Sequence, residues 1–468
     1  MIHIVESPWR SLSSTLSRAR SEVSPQHAVG VAVGAGCVLA GVGAVASPST
    51  VVLALAGLAL VLLAVNSLVW LLAAFTVLTF PEQLPLGFAS GTVAKPLGLL
   101  LVVSWALHLV RNRDAPFLPR DQPLLAGALA AFFAFAVASA LWASDSTLVV
   151  SNGSRLFQMV LLFVIVFTAV RTRADLFVLT GGYVFAASVT AAYAVTSGVR
   201  VAGRLTGGIA NPNFLAAELV VAIVLAGFML AAARTPKLRV ALVASIALNA
   251  LGFTLTQSRG GIIALATALV VALFVGGRLR PQVIVGVLLA GVVGATYYVA
   301  IAAPAVRDRL TNVSAQGSAG RSDEWTIAFR IFRDHSVGGA GLGNYSALAP
   351  NFVTDNLQLL RVQFVLRGFV AHNTYLQILS ELGVIGSTLF AGFLLGVIGL
   401  ALSSLRSGTL RADDRAAAVA RGVIVALVGL LAAYFFASAL YAKQLWLLLA
   451  LAASLATVTR MSHGTESE

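Results

Sequence analysis

The chain has 468 residues, 59% of them hydrophobic and 10% charged, with a mean hydropathy of +0.92; a soluble protein could not hide so much apolar surface, so lipid must be the solvent for most of it. The apolar stretches are nearly unbroken, as in Met159 to Val170 and Ile262 to Gly276, which excludes an alternating transmembrane barrel and predicts helices. The net charge of +13 is read as arginine in cytoplasmic loops together with an anionic ligand or lipid surface, and not as nucleic-acid binding.

Residues 1–27 form a basic tail with Arg10, Arg18 and Arg20. The apolar run that follows lacks a convincing A-x-A cleavage site and reads as a retained helix. Cys37 is the only cysteine, so no intramolecular disulfide is possible. Eleven spans are expected within 28–302, near 28–46, 51–65, 67–80, 94–110, 123–142, 156–170, 175–196, 213–233, 239–256, 260–276 and 282–302. A large polar loop occupies 303–371. Three more spans, near 373–403, 418–440 and 444–459, fall within 372–460, and 461–468 is a tail. The best count is fourteen; it drops to twelve or thirteen if the short second and third spans, which share the turn at Asn66-Ser67, are not separate crossings. The expected fold is an all-α polytopic membrane protein.

Positive charge sets the orientation. With the N-terminus inside, Arg111, Arg113, Arg120, Arg171, Arg173, Arg234, Lys237, Arg239, Arg278, Arg280, Arg406, Arg411, Arg415, Arg421 and Arg460 all fall in cytoplasmic segments. Both termini are then cytoplasmic, and the large loop lies outside. No internal repeat is visible, which weighs mildly against a secondary transporter.

Four outer segments stand out. Val199 to Asn213 brings Arg204 and several glycines to the start of a helix, with Asn211 and Asn213 flanking Pro212; this is either an anion site or an ordinary capped turn. Thr256 to Gly261, TQSRGG, joins two spans with almost no loop, so Arg259 must snorkel or serve a wet, functional cavity. In the large loop, Ser322 to Asp334 predicts a helix capped by Ser322, with an apolar stripe of Trp325, Ala328, Ile331 and Phe332 lying on the membrane domain. The glycine-rich VGGAGLGNY, Val337 to Tyr345, permits close backbone approach but identifies no ligand. Finally, Ala371 to Gly386 puts His372 and Asn373 at the outer entrance to a helix, with Glu381 further in. His372 is either a base working near neutral pH or a histidine that only caps.

Taken in order, GRLTGGIANPNFLA, TQSRGGIIAL, GRSDEWTIAFRIFRDHSVGGAGLGNY and AHNTYLQILSELGVIG resemble the O-antigen ligase and O-antigen polymerase family of bacterial membrane glycosyltransferases, over about residues 150–400. The resemblance implies a GT-C-like, metal-independent enzyme of the inner membrane with its active site facing outward. Such an enzyme moves a glycan from undecaprenyl diphosphate or a similar lipid donor to an acceptor hydroxyl on a glycan or glycolipid. It also implies that Arg204, Arg259 and Arg321 bind the donor diphosphate and that His372 is the catalytic base. Asn211, Asn213, Asn373, Glu381 and Tyr345 are candidate supporting residues. Family members usually carry a proline before the glycine stretch, where this chain reads HSVGGAG.

The chemistry agrees with the residue types. Arginine is always charged and grips phosphate through two bonds, and a low-dielectric surface strengthens that grip. No outer D-x-D pair and no Cys/His zinc spacing appear, so no metal or other cofactor is expected. A sugar hydroxyl needs a base, worth about 10²–10⁴ in rate, and nearby arginines would keep His372 neutral. The expected partners are the lipid-linked donor, the acceptor and membrane lipid. A flippase for lipid-linked glycans is the alternative, but it would need more polar residues in mid-membrane and would tolerate loss of His372. The motifs of shape-and-division cell-wall polymerases find no good match.

Overall fold

The computed structural model describes residues 57, 60, 66–79, 94–201, 203–206, 211–311, 321–353, 370–407, 410 and 413–464. The long helices are α1 (Leu68–Thr79), α2 (Ala94–Arg111), α3 (Pro123–Ala138), α4 (Ser146–Ala169), α5 (Arg173–Ser197), α6 (Pro212–Ala232), α7 (Pro236–Thr256), α8 (Arg259–Val275), α9 (Arg280–Thr296), α10 (Arg321–Asp334), α11 (Thr374–Arg406), α12 (Asp414–Ala433) and α13 (Lys443–Gly464). The only strands among the described residues are β1 (Arg200–Val201) and β2 (Arg204–Leu205), an antiparallel pair. The protein is an all-α, multi-pass membrane protein. Among the described residues nine helices are long and apolar enough to cross a membrane, and α1 and α8 are shorter apolar helices.

Twelve of the expected spans coincide with α1–α9 and α11–α13. The expected span 28–46 lies outside the described residues, as does nearly all of 51–65. The helix ends follow local chemistry. Asp145 caps α4, Thr172 and Asp175 form a capping box on α5, and Pro236 begins α7 behind the cap Thr235. Residues 445–459 of α13 are all buried, as suits a helix that is apolar all round. α13 packs against α4, α11 and α12, and α12 packs against α6 and α8.

The connecting segments sort into two faces. On one, Arg173 pairs with Asp413 at 2.7 Å, Arg278 with Asp414 at 3.0 Å and Arg460 with Asp121 at 3.6 Å. All are segments expected to share the cytoplasmic side. The other face gathers the β1–β2 turn, the start of α8, α10 and the start of α11.

One span is not the continuous helix its sequence suggests. Gly383 sits at φ 62°, ψ −162° inside α11, which breaks the helix there. A break in a membrane helix frees backbone groups that must find partners. Residues 336–341 supply them. Ala340 N–H and Gly341 N–H donate to the carbonyls of Ser380 and Glu381, at 3.0 and 2.8 Å, and Val384 N–H donates to Ser336 O at 2.9 Å. The glycine stretch is therefore a strap laid on the break. It is also tied to the corner after α3: Trp142 Nε1 donates to Gly339 O, Ser139 Oγ accepts from Leu342 N–H, and Asn344 exchanges two bonds with the Asp145 backbone.

The strap demands glycine at Gly339. Its φ is 74°, and a Cβ there would lie 2.3 Å from the Glu381 carbonyl. Gly339→Ala should therefore destabilise the protein by about 2–4 kcal/mol, through left-handed strain and overpacking. Gly392→Ala, with nothing within 4 Å of its Cβ, should leave thermal unfolding in detergent micelles unchanged. Equal melting of the two variants would contradict the strap.

Candidate active site

Asn373 caps α11: its Oδ1 accepts from Tyr375 N–H and Leu376 N–H, at 2.9 and 3.0 Å. Thr374 anchors the same turn to the segment joining α12 and α13, where its hydroxyl donates to Ala437 O (2.7 Å) and accepts from Ala439 N–H (2.9 Å). Between this anchor and the strap, His372 is held at φ 48°. That conformation costs a non-glycine residue about 1–2 kcal/mol. It persists only because the surroundings over-determine it, as is common where a side chain must be aimed.

His372 Nε2 lies 3.9 Å from Glu324 Oε1. Among the described residues, the buried atoms His372 Nδ1 and Glu324 Oε2 have no hydrogen-bond partner. Glu324 belongs to α10, which differs from expectation in two ways. The helix begins at Arg321, so Ser322 lies within the first turn instead of capping it. The buried face is Asp323, Glu324, Ile327, Ala328 and Ile331, so the stripe is rotated away from Trp325 and Phe332. The cause is what the helix meets: Ile327, Ala328 and Ile331 pack with Ala340, Tyr345, Ala349 and Ala371. Tyr345 OH donates to Glu324 O at 2.9 Å.

Arg321, three residues before Glu324, lies over the Phe436 ring with its guanidinium carbon 5.8 Å from the centroid, a cation–π contact. Burial holds the His372 imidazole down to about 4, and the Arg321 charge adds to the effect. Burial pushes the Glu324 carboxyl up to about 8; Arg321 pulls against it and Asp323 adds to it. Both groups are thus driven toward their uncharged forms.

Arg204 and Arg259 bracket the α7–α8 turn. Arg204 is tied into the scaffold, its Nε donating to Thr256 O at 2.9 Å and its terminal nitrogen to Asn213 Oδ1 at 3.0 Å. Asn213 Oδ1 also accepts from Ser258 Oγ, and Asn211 Oδ1 accepts from both nitrogens of Asn213. Ser258 caps α8 by accepting from Gly261 N–H, and Gln257 at φ 50° makes the sharp turn. Arg259, half-buried at the first turn of α8, has no hydrogen-bond partner among the described residues. The next residue, Gly260, sits against Phe436, where a Cβ would lie 2.9 Å from the phenylalanine Cβ.

Phe436 thus touches both the helix that carries Arg259 and the side chain of Arg321. The arrangement brings Arg321 to His372, and Arg204, Asn211 and Asn213 to the turn that bears Arg259. Glu381 points elsewhere: its carboxylate accepts from Gly343 N–H (2.7 Å) and from Gln377 (3.0 Å), holding the strap. Sequence reasoning missed Glu324 and Phe436. The first had a usable signal, since Glu324 falls in the first turn of the predicted helix, three residues after Arg321; the second had none.

Two open hollows flank the bundle. One, about 520 Å³, runs along α10 beside Arg321 and is lined by Ser322, Trp325, Thr326, Phe329, Arg330 and Arg333. The other, about 470 Å³, lies at the opposite face among Arg111, Asn112, Arg113, Asp114 and Arg171. Residues 244–391 match the family model described as O-antigen ligase. This supports assignment of the chain to the O-antigen ligase/polymerase family and suggests a glycosyltransferase-type enzyme. The match includes Arg259, Arg321, Glu324 and His372 but not Arg204. No curated protein matches the chain.

Removing the Arg321 charge should raise the midpoints of both His372 and Glu324, because that charge lowers each of them. Histidine ¹³C NMR titration of Arg321→Gln should show His372 moving from about 4 toward the ordinary histidine value. An unmoved midpoint would show that the two side chains do not sense each other.

Proposed function

We propose that the chain, as a member of the O-antigen ligase/polymerase family, transfers a glycan from a polyprenyl-diphosphate donor to an acceptor hydroxyl at the outer face of the cytoplasmic membrane. The observation that carries this reading is the aimed, strained His372, with one ring nitrogen facing Glu324 and the other without a partner among the described residues.

Arg259 and Arg321 offer guanidinium groups to the departing diphosphate, with Arg204 stiffening the turn that presents Arg259. Fixed positive charge at a low-dielectric surface stabilises the leaving group as its bond to the anomeric carbon breaks. The exposed apolar face of α8, with Ile262, Ile263 and Val270, gives the prenyl chain a surface that continues inward from Arg259. α6 is mostly enclosed by other helices and offers less of one. His372 takes the acceptor's proton while the acceptor oxygen attacks opposite the diphosphate, which inverts the anomeric centre. Ionised Glu324 would then face the imidazolium at Nε2 and stabilise it. Glu324 acts through the histidine, as a positioning residue.

The alternative, a flippase for lipid-linked glycans, would use the same arginines but needs no base. Reconstitution in liposomes with the host's lipid-diphosphate glycan separates the two. Wild type should lengthen the lipid-linked glycan, as a polymerase, or move it to an added acceptor, as a ligase. His372→Ala should reduce either reaction by about 10²–10⁴. Transport without transfer, or a fully active His372→Ala, would favour the flippase. Because ionised Glu324 supports the base and its carboxyl is pushed up to about 8, the rate should rise with pH to about that value. Glu324→Gln should be slower and should flatten the rise.

A further inference from the structure

The hollow along α10 is lined by side chains of that one helix. Ser322, Trp325, Thr326, Phe329, Arg330 and Arg333 recur three or four residues apart and share one face. This is the face opposite Glu324, Ile327, Ala328 and Ile331, which α10 buries. The outer face therefore belongs neither to the core nor to the pair formed by Glu324 and His372. Along it, two aromatic rings alternate with two short hydroxyls, and two guanidinium groups stand at the far end. Phe329 is 51% exposed, and the buried Trp325 indole N–H has no acceptor among the described residues. Trp325 also packs against Phe436, with ring centroids 6.3 Å apart, so the hollow starts at the arginine site and runs away from it.

We propose that this outer face of α10 is a saccharide subsite holding sugar units of the acceptor beyond the one that reacts. A sugar ring has an apolar C–H face and a rim of hydroxyls. Ring faces interleaved with Ser322 and Thr326 match both, and Arg330 and Arg333 add donors for hydroxyls or for a sugar carboxylate. The lining spans eleven helical steps, about 16 Å at 1.5 Å per residue, which is room for a short oligosaccharide. The choice of acceptor over donor rests on the proposed transferase reading: the same helix presents Glu324 to the base, and the base works on the acceptor.

The test is a binding measurement that requires no turnover. The protein is placed in phosphatidylcholine nanodiscs, and the probe is the water-soluble oligosaccharide released by mild acid from the host's own envelope glycan. Saturation-transfer NMR should show sugar protons in contact with the wild type. Phe329→Ser and Arg333→Ala, both at exposed positions, should weaken binding about tenfold each, as truncation of an anchoring contact does. Trp325→Phe keeps the ring against Phe436 and should lose less. No sugar contact in wild type, or equal binding in Phe329→Ser, overturns the subsite. So does intact sugar binding with loss of phosphatidylglycerol co-purification in the variants, which would make this face a headgroup contact. If sugar binds through Phe329 but no glycan is transferred, the subsite stands and the transferase reading fails.

Discussion

A helix broken inside a membrane protein leaves amides and carbonyls that lipid cannot satisfy, at several kcal/mol for each group. At Gly383 this protein meets that constraint with its own loop: residues 336–341 hydrogen-bond both sides of the break in α11. Much of this face of the protein follows from that contact. The strap fixes Tyr345, which holds Glu324 through its carbonyl. Glu381 clamps the strap from α11 at Gly343. The short first part of α11 is thereby set at an angle of its own, and His372 at its head is pressed into a left-handed conformation between the strap and Thr374's anchor on Ala437 and Ala439.

The site so positioned is electrostatically divided. Arg204 spends its donors on Thr256 and Asn213, which makes it part of the frame that holds the α8 turn. Arg259 stands at the first turn of α8 with its guanidinium uncommitted among the described residues, where the helix dipole adds to its attraction for an anion. Arg321 does double duty on the proposed reading: it offers charge to the diphosphate and keeps His372 neutral. Phe436 fixes the relation between these two, because it supports Arg321 through its ring and Gly260 through close contact.

How much of this was legible in the sequence varied with the kind of information needed. The spans were readable because apolar runs of membrane length have few alternatives. The four polar segments singled out above were readable because polar residues between such runs need a reason. Arg173 meets Asp413 and Arg278 meets Asp414, which puts on one face segments that positive charge alone had grouped together. The break at Gly383 was not legible, because a glycine inside an apolar helix more often packs than breaks. Nor was the rotation of α10, since burying Glu324 makes sense only once His372 is known to face it. The strap illustrates the limit of composition: its glycines suggest ligand contact as readily as backbone contact, and only the approach to Ser380 and Glu381 decides for the backbone.

The most direct measurement is a cryo-electron microscopy structure of the protein with a polyprenyl-diphosphate-linked sugar, using the transfer-deficient His372→Ala variant to hold the donor. The account predicts the diphosphate between Arg259 and Arg321, the prenyl chain along α8, and the anomeric carbon turned toward position 372. A diphosphate seated instead among Arg111, Arg113 and Arg171 at the opposite face, with the Arg259 and Arg321 side chains bare, would contradict it.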